Sequence, residues 1–333
     1  MITVIIPCYN ASETILETLK SVLNQSFTEL FIHIYDDCST DDTVEKIKSI
    51  RDFRIKIFKG NKNKGVNYAR DFLISTCKTK YISFLDSDDY YHIDKLKIQK
   101  EFLDNNENIA LVGTKIQLVD EENRSIKYPE LTLTSDNMER MKSRLFFENS
   151  ISTSSVMVRT KVIKAYRFSD FKYSFGEDYY LWLEIIKKHE IINLDKKLTY
   201  YRISNSGLTR TLESIKGDAL KHIHYKNFCY NKIPLKFLDC HVNHLIHKNI
   251  NPTQLKESIS FYKYLLSIDL IDKKEIILNL SRKLSVTAIS KSKRIYFLIM
   301  YSYQLKLSVS YDSMAIFLIS LLKKPSSKFN NQI

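Results

Sequence analysis

The first hundred residues alternate short apolar runs with amphipathic segments of helical length, and this alternation restricts the possible folds more than any other feature. The apolar runs are TVIIP, LFIHIYD, RIKIF and YISFLD. In the segment after the first run, apolar residues recur with the spacing of one helix face, at Ile15, Leu16, Leu19, Val22 and Leu23. The pattern predicts βαβ units and a mostly parallel, doubly wound sheet.

Polar and acidic clusters follow three of the predicted strands at the point where each strand ends. CYN follows the first strand, DDCSTDD the second and DSDD the fourth. Because ligands of open α/β sheets bind outside the carboxyl ends of the strands, we expect these clusters to form one site. The aspartates of DSDD repel one another unless a cation or hydrogen-bond donors hold them, and an exposed acidic turn is the alternative.

Length and charge predict two regions. The chain has 333 residues, of which 44% are hydrophobic, enough for one large domain with an appendage or for two domains. Turn residues near 205–212 predict a boundary. We expect a domain at 1–210, which carries a net charge of +2, and a basic helical appendage at 211–333, which carries +11.

Several classes of protein are disfavoured. The five cysteines are scattered without CxxC spacing, which favours reduced thiols in a cytosol over disulfides or a zinc site. The N-terminus lacks a basic region before its apolar run, so we expect no signal peptide. The apolar runs 295–301 and 314–319 are shorter than the roughly 20 residues of a spanning helix. The histidines His241, His244 and His247 are interpreted as a solvated helix face rather than a zinc site.

Five motifs resemble, in order and spacing, those of the family 2 glycosyltransferases, which have the GT-A nucleotide-diphospho-sugar fold. The motifs are VIIPCYNASETILETLKSVLNQSF, IYDDCSTDDT, NKGVNYARD, FLDSDDYY and GEDYYLWLEI, and the resemblance covers roughly residues 2–205. It implies an α/β, Rossmann-like GT-A fold with a mostly parallel sheet and a C-terminal helical region. In this fold, residues 1–105 form the nucleotide-binding half and residues 106–210 the acceptor half.

The resemblance implies a site for a nucleotide-diphospho-sugar, with a UDP-sugar as the expected donor. The implied donor-binding residues are Pro7, Tyr9, Asn10, Asp37, Asn63, Gly65, Arg70 and Asp86. From the residues alone, Tyr9 also suits rim packing and Asp37 a turn, and Arg70 pairs either with the aspartate cluster or with the diphosphate. Cys38 stands where the family usually has glycine, so we expect this turn to avoid a glycine-only backbone conformation.

The resemblance also implies a metal and a general base. Mn²⁺ or Mg²⁺ would offset the charge of the diphosphate, with Asp88 as the protein ligand, Asp86 near the ribose and donor sugar, and Asp89 without an assigned role. Asp178 is implied as the base that removes the proton of the acceptor hydroxyl in a single inverting displacement, although acidic residues suit any helix N-terminus. The candidate acceptor-side residues are Ser154, Glu177 and Trp182.

The resemblance implies transfer to a glycan or lipid-linked acceptor in surface-polysaccharide biosynthesis. The Gln-x-x-Arg-Trp signature of processive synthases is absent from the sequence, so we expect one sugar per encounter. The alternative is a non-catalytic GT-A-like membrane or partner adaptor, which the intact Asp88 and Asp178 disfavour.

Two interpretations of the basic region 211–333 remain. Its helices either pack with solvated lysines or lie on an anionic membrane, which would place a cytoplasmic protein on the inner face of the cell membrane. The lysines and arginine expected near lipid headgroups are Lys291, Lys293, Arg294, Lys323 and Lys324. Nucleic acid is not an expected partner, because no recognised binding module is present in the sequence.

Overall fold

The computed structural model describes residues 1–126, 137–203, 213–246, 252–268, 270–272 and 275–276. The chain divides into two compact units. The first comprises Met1–Met141 and Asn149–Gly207, and the second Lys142–Glu148 and Leu208–Ile333. The sequence pattern placed Lys142–Glu148 with the preceding residues, but this segment belongs to the second unit. Only tertiary contacts reveal such an assignment, because nothing in the local composition marks it.

The first unit is built on an eight-stranded sheet. Its strands are β1 (Ile2–Cys8), β2 (Leu30–Asp36), β3 (Ile55–Lys59), β4 (Tyr81–Phe84), β5 (Tyr90–Tyr91), β6 (Ile109–Val119), β7 (Met157–Arg159) and β8 (Glu190–Arg202). Their order is β3-β2-β1-β4-β7-β6-β8-β5. Pairing is parallel from β3 to β4 and between β6 and β8. The short strands β7 and β5 pair antiparallel with their neighbours. The predicted mostly parallel sheet is therefore confirmed.

The helices that begin in the first unit are α1 (Ile15–Leu23), α2 (Thr43–Ser49), α3 (Val66–Thr76), α4 (Lys95–Asn105), α5 (Met138–Phe147), α6 (Thr160–Ile163) and α7 (Glu177–Ile186). The apolar face predicted for α1 is buried at Ile15, Leu19 and Val22. All seven residues of β1 are buried, as expected of a central parallel strand covered on both faces. Because β1 lies between β2 and β4, the polar residues that follow these three strands meet at one edge of the sheet.

The second unit is helical where the structure describes it. Its helices are α8 (Glu213–Tyr230), α9 (Leu238–Ile246) and α10 (Pro252–Ser267), together with a 3₁₀ turn at Leu235–Phe237. Its core is rich in aromatic side chains, including Phe146, Phe228 and Phe261. The ring centroids of Phe146 and Phe228 lie 5.9 Å apart, and those of Phe228 and Phe261 lie 5.5 Å apart.

The interpretation of His241 as a solvated residue was wrong. This side chain is 4% exposed and lies against the aromatic core, with its Nε2 3.1 Å from Nδ1 of the buried His224. Seen from the sequence alone, a histidine on a helix with polar neighbours looks exposed, whereas here it lies on the buried face. The side chain of His244 and the whole of His247 lie outside the described part of the chain.

Among the described helices, none is both long enough and apolar enough to cross a membrane. The membrane-facing residues expected between 291 and 324 lie outside the described residues.

Candidate active site

Tyr9 and Asp37 follow the adjacent strands β1 and β2. The two strand ends are joined by a hydrogen bond of 2.8 Å from the Asp37 amide to the Cys8 carbonyl. Tyr9 is 48% exposed, so its ring is available to a ligand, and the preceding Pro7 is buried within β1. The exposed aromatic ring and the carboxylate of Asp37 therefore follow adjacent strand ends, and their role in base binding stays a prediction.

The Asp37 carboxylate organises the loop before α3. It accepts hydrogen bonds from the backbone amides of Lys64, at 2.9 and 3.0 Å, and of Gly65, at 2.7 Å. Asn63 accepts a further bond from the Gly65 amide through Oδ1 at 3.0 Å. Gly65 precedes α3 with φ +85°, a conformation that strongly favours glycine. The loop predicted to bind the donor is therefore held directly on the residue predicted to bind the base.

The turn after Asp37 contains a left-handed cysteine. Cys38 has φ +67°, so the expectation that this turn avoids a glycine-like backbone was wrong. Asn10, at the end of β1, is also left-handed with φ +48°, and its side-chain oxygen accepts the Thr40 amide at 2.8 Å. Backbone strain at both positions is typical of sites where the surrounding structure holds a required shape.

Arg70 joins the two acidic motifs of the chain. Its Nη2 donates to Asp86 Oδ1 at 2.9 Å and its Nη1 donates to Glu177 Oε1 at 2.8 Å. The guanidinium is almost completely buried and lies over the ring of Phe168. Burial alone would lower the pKa of Arg70, but Asp86 and Glu177 outweigh it and raise the pKa above its usual value. Of the two partners predicted for Arg70, the structure therefore shows the carboxylates.

Asp88 and Asp86 form the acidic turn after β4. Burial and the charge of Asp86 raise the pKa of Asp88 to about 6, although Arg202 and Arg70 oppose this shift. Two carboxylates in one turn are a suitable oxygen donor set for Mg²⁺ or Mn²⁺. No group of three or more metal-ligating side chains occurs in the part of the chain that the structure describes. A metal held here would therefore take further ligands from the substrate or from water.

Asp89 differs from its two neighbours because it is buried, at 1% exposure, and points into the fold. Its Oδ1 accepts the backbone amide of Arg202 at 2.9 Å, and its carbonyl accepts the Thr18 hydroxyl at 2.8 Å. The neighbouring Ser87 carbonyl accepts the hydroxyls of Thr14 and Thr18, both at 2.9 Å. Asp89 therefore anchors the turn rather than facing a ligand.

The second acidic motif begins α7. Gly176 has φ +78° and precedes the helix, and Glu177 and Asp178 occupy its first turn, where the helix dipole favours negative charge. Asp178 Oδ2 accepts hydrogen bonds from Asn149 Nδ2 and Thr153 Oγ1, both at 3.0 Å, and Oδ1 accepts the Tyr179 amide at 2.7 Å. Burial raises the pKa of Asp178, and Arg70 partly opposes this shift.

The three candidate acceptor-side residues are placed differently. Trp182 is fully buried, with its ring between those of Phe84 and Phe168, so it presents no surface to an acceptor. Ser154 is also fully buried, and its Oγ accepts the Asp86 amide at 3.0 Å. The Glu177 side chain is 12% exposed and pairs with Arg70. Ser154 therefore contacts the acidic turn directly, and Glu177 is linked to it through Arg70.

Two buried cations near the site were not predicted from the sequence. Lys95 is fully buried, and its Nζ donates to Gln99 Oε1 at 2.7 Å and lies 4.0 Å from the centroid of the Tyr91 ring. Burial lowers the pKa of Lys95 well below its usual value. Arg202, at the end of β8, contacts the acidic turn. The signal for Arg202 is its position at the end of a predicted strand, KLTYYRI, which the motifs did not include.

Comparisons with known proteins agree on one family. Residues 3–175 match the family described as Glycosyl transferase family 2. An uncharacterized glycosyltransferase of Rickettsia conorii is 33% identical over 277 residues, which are 79% of this chain and 44% of the relative. The chain thus spans less than half the length of that protein.

A second relative is nearer in length, and a solved structure resembles the fold. The UDP-Glc:alpha-D-GlcNAc-diphosphoundecaprenol beta-1,3-glucosyltransferase WfaP of Escherichia coli is 33% identical over 204 residues, covering 61% of this chain and 77% of WfaP. The crystal structure of S. aureus TarS 1-349 in complex with UDP-GlcNAc aligns with a TM-score of 0.56 at 18% identity, covering 93% of each chain. The structural likeness confirms the predicted α/β GT-A fold class with a C-terminal helical region.

Proposed function

The chain belongs to the family 2 glycosyltransferases, and we propose that it transfers a sugar from a nucleotide-diphospho-sugar to an acceptor hydroxyl with inversion at the anomeric carbon. The expected donor is a UDP-sugar and the expected acceptor a glycan or lipid-linked glycan of a surface polysaccharide. WfaP, whose name states a UDP-glucose donor and a diphosphoundecaprenol-linked acceptor, supports this substrate class.

The observation that carries the proposal is the pair of bonds made by Arg70. One guanidinium contacts Asp86 of the acidic turn after β4 and Glu177 at the start of α7, which is 107 positions from Arg70 in the chain. A carboxylate implied to act on the donor, Asp86, and a candidate acceptor-side carboxylate, Glu177, therefore bind the same buried guanidinium.

Asp178 is suited to the role of general base. Its Oδ2 accepts two side-chain bonds, whereas Oδ1 accepts only the Tyr179 amide among the contacts described above, which leaves a lone pair of Oδ1 for a substrate hydroxyl. Because burial raises the pKa of Asp178, its carboxylate holds a proton more strongly than an exposed aspartate does. Asn149 and Thr153 orient the carboxylate, so it meets the acceptor in one position.

Asp88 is the residue that would hold Mn²⁺ or Mg²⁺, with Asp86 beside it. When bound, the metal would offset the negative charge of the departing nucleoside diphosphate. Tyr9 would stack on the base, and Asp37 would fix the loop Asn63–Gly65 against it. Arg70 would hold Asp86 and Glu177 in place while the charge on the donor changes.

Transfer assays with a panel of nucleotide sugars test the proposal. We expect Asp178→Asn to lower the transfer rate by about 10²–10⁴-fold while UDP still binds. We expect Asp88→Asn, or EDTA, to abolish metal-stimulated turnover. Full activity of Asp178→Asn would remove this residue as the base, and metal-independent turnover would remove the metal assignment.

We also propose that the helical unit holds the enzyme on an anionic membrane surface, in keeping with a lipid-linked acceptor. At the end of α8 and in the following turn, exposed Tyr225, Tyr230 and Leu235 accompany exposed lysines. The lysines of this surface are Lys226, Lys232 and Lys236. Aromatic rings beside lysines suit a headgroup region, where each cation contributes about 1 kcal/mol.

Flotation with phosphatidylglycerol vesicles tests the membrane proposal. The full-length variant Lys226→Glu/Lys232→Glu/Lys236→Glu should float less than the wild type, and vesicles of phosphatidylcholine alone should bind neither protein. Equal flotation of variant and wild type on the anionic vesicles would show that this surface is not the anchor.

The alternative function is a non-catalytic adaptor with the same fold. The oriented Asp178 carboxylate disfavours it, because an adaptor has no need of two side chains that hold this carboxylate in one position. Nucleotide-sugar turnover by the wild type separates the two functions.

A further inference from the structure

Arg202 lies opposite the acidic turn that contains Asp88, at the end of the β5–β8 ladder. The antiparallel ladder pairs Tyr90 with Tyr200 and Tyr91 with Thr199, and the Tyr90 and Tyr200 rings stack with centroids 4.6 Å apart. Two residues further along this register, Arg202 stands opposite Asp88. Its side chain is 5% exposed, so the guanidinium is removed from water and depends on protein partners.

Two hydrogen bonds, both donated by Arg202, join this residue to the turn. The Arg202 Nε donates to the Asp88 carbonyl at 2.9 Å. The Arg202 amide donates to Asp89 Oδ1, also at 2.9 Å. The first bond fixes the peptide unit between Asp88 and Asp89, and the second fixes the side chain of Asp89. Together they determine the direction in which the Asp88 Cα–Cβ bond points.

The remaining donors of the guanidinium bind two other segments. Nη1 donates to the carbonyls of Glu121, at 3.1 Å, and Asp120, at 3.4 Å, in the turn that follows β6. Nη2 donates to the carboxylate of Glu17 on α1. Glu17 in turn accepts a bond of 2.8 Å from Asn123 of the same turn. One side chain therefore holds together α1, the acidic turn and the turn after β6.

We propose that Arg202 is a positioning residue that aims the Asp88 carboxylate at the metal of the donor complex. The proposal rests on the metal role that the proposed function gives to Asp88. Arg202 does not itself touch the metal or the substrate in this assignment, because all its donor atoms are directed to the protein. Residues that orient a metal ligand typically change metal affinity by about 10–100-fold when removed.

Lysine cannot replace arginine in this position. The planar guanidinium of Arg202 donates hydrogen bonds to three different segments. A lysine ammonium can retain the pairing with Glu17, but it cannot also make the bond of Nε to the Asp88 carbonyl. Arg202→Lys thus keeps the positive charge, and it also keeps the backbone bond to Asp89, while it removes the bond that fixes Asp88. This variant separates positioning from charge.

The test compares Arg202→Gln and Arg202→Lys with wild type in the full chain. Arg124→Gln is the matched control, because Arg124 lies in the same turn after β6 but its side chain is 73% exposed and pairs with Asp120 and Glu122 of that turn. Two affinities are measured: that of UDP in EDTA, by calorimetry, and that of Mn²⁺ in saturating UDP, by the electron paramagnetic resonance signal of free Mn²⁺.

Both Arg202 variants should bind Mn²⁺ about 10–100-fold more weakly, with UDP affinity in EDTA unchanged, and Arg124→Gln should match wild type in both. Wild-type Mn²⁺ affinity in a folded Arg202 variant overturns the proposal. Parallel loss of UDP and Mn²⁺ binding also overturns it, because that indicates general damage to the fold. If Arg202→Gln does not fold, Arg202→Lys decides the question. Failure of the wild type itself to bind Mn²⁺ with UDP would instead overturn the metal role of Asp88.

Discussion

In the first unit, Arg70 is buried between the carboxylates of Asp86 and Glu177, whereas in the second unit His224 and His241 are buried against each other within an aromatic core. In the first centre one guanidinium pairs with two carboxylates of opposite charge. In the second centre the histidines pack among aromatic rings, and burial lowers the pKa of His224 to about 3. Both are polar groups removed from water, but they are stabilised by opposite means.

The difference indicates which unit carries the chemistry. Carboxylates whose pKa is raised by partial burial, and left-handed residues, are unfavourable for folding and are retained where a ligand needs them. The first unit has both at the carboxyl ends of its strands, in Asp88 and Cys38. The aromatic core around the histidine pair has the character of a structural core, and the lowered pKa of His224 makes it sensitive to acid.

The largest expected effect comes from Arg70. Arg70→Met leaves the carboxylates of Asp86 and Glu177 without their shared cation, and breaking a buried ion pair on one side typically costs about 3–5 kcal/mol. The free energy of unfolding of the first unit, measured by urea denaturation, should fall by this amount. The double variant Arg70→Met/Glu177→Gln should recover part of the loss. If the free energy of unfolding fell less than it does in Arg124→Gln, which removes an exposed arginine, the buried pairing of Arg70 would not be what stabilises the first unit.

Acid should affect the second unit selectively. Burial lowers the pKa of His224 from about 6.5 in an unfolded chain to about 3 in the folded chain. Between these pH values the unfolded state binds more protons, so stability falls as the pH is lowered through this window. Linkage gives a loss of about 2 kcal/mol at pH 5.

Hydrogen–deuterium exchange of α8 measures this loss directly. Protection of residues 213–230 should decrease from pH 7 to pH 5 after correction for intrinsic exchange rates. The variant His224→Phe, which suits the aromatic surroundings and cannot titrate, should keep its protection. Equal loss in both proteins would show that another group is responsible.

A smaller effect is expected from the strained turn after β2. Cys38→Gly removes a side chain from a left-handed residue, where non-glycine residues cost about 1–2 kcal/mol. The melting temperature should rise, with UDP affinity unchanged. Because glycine also increases the entropy of the unfolded chain, the net gain is about 1 kcal/mol or less. A fall in the melting temperature would show that the cysteine side chain makes contacts that outweigh the strain.

The smallest effect is expected from Lys95. Among the described residues no carboxylate pairs with this buried cation, so Lys95→Met removes an ammonium that is costly to bury together with its bonds to Gln99 and Ser83. The two contributions oppose each other, and the net change in unfolding free energy should be under about 1 kcal/mol. If Lys95→Met lowered the unfolding free energy as much as Arg70→Met does, pairing with carboxylates would not explain the different contributions of Lys95 and Arg70.

Much of the architecture could be predicted from the sequence. The strand–helix alternation indicated the parallel half of the sheet, and the polar residues after β1, β2 and β4 do meet at one edge. Asp37 and Asp86 lie at the strand ends where they were expected. The antiparallel insertion of β7 between β4 and β6 was not predicted, since the pairing direction of a strand depends on its partners and not on its own sequence.

The side-chain partners were predicted less well. Arg70 had two plausible partners, and Trp182 was placed beside an acceptor although it is buried. His241 was interpreted as exposed, although it belongs to an aromatic core. In each case the local pattern gave the element correctly but did not indicate which face of that element is covered, because the covering residues come from distant parts of the chain.

The sequence by itself determined the α/β class, the family and the positions of the acidic motifs, because periodicity and motif spacing are local properties of a chain. Only the tertiary structure decided that Asp89 points inward, that Arg70 bridges two acidic motifs and that Arg202 holds the Asp88 turn. The last of these joins residues 114 positions apart. Such pairings depend on how β8 registers against β5, and register is set by the packing of the whole sheet.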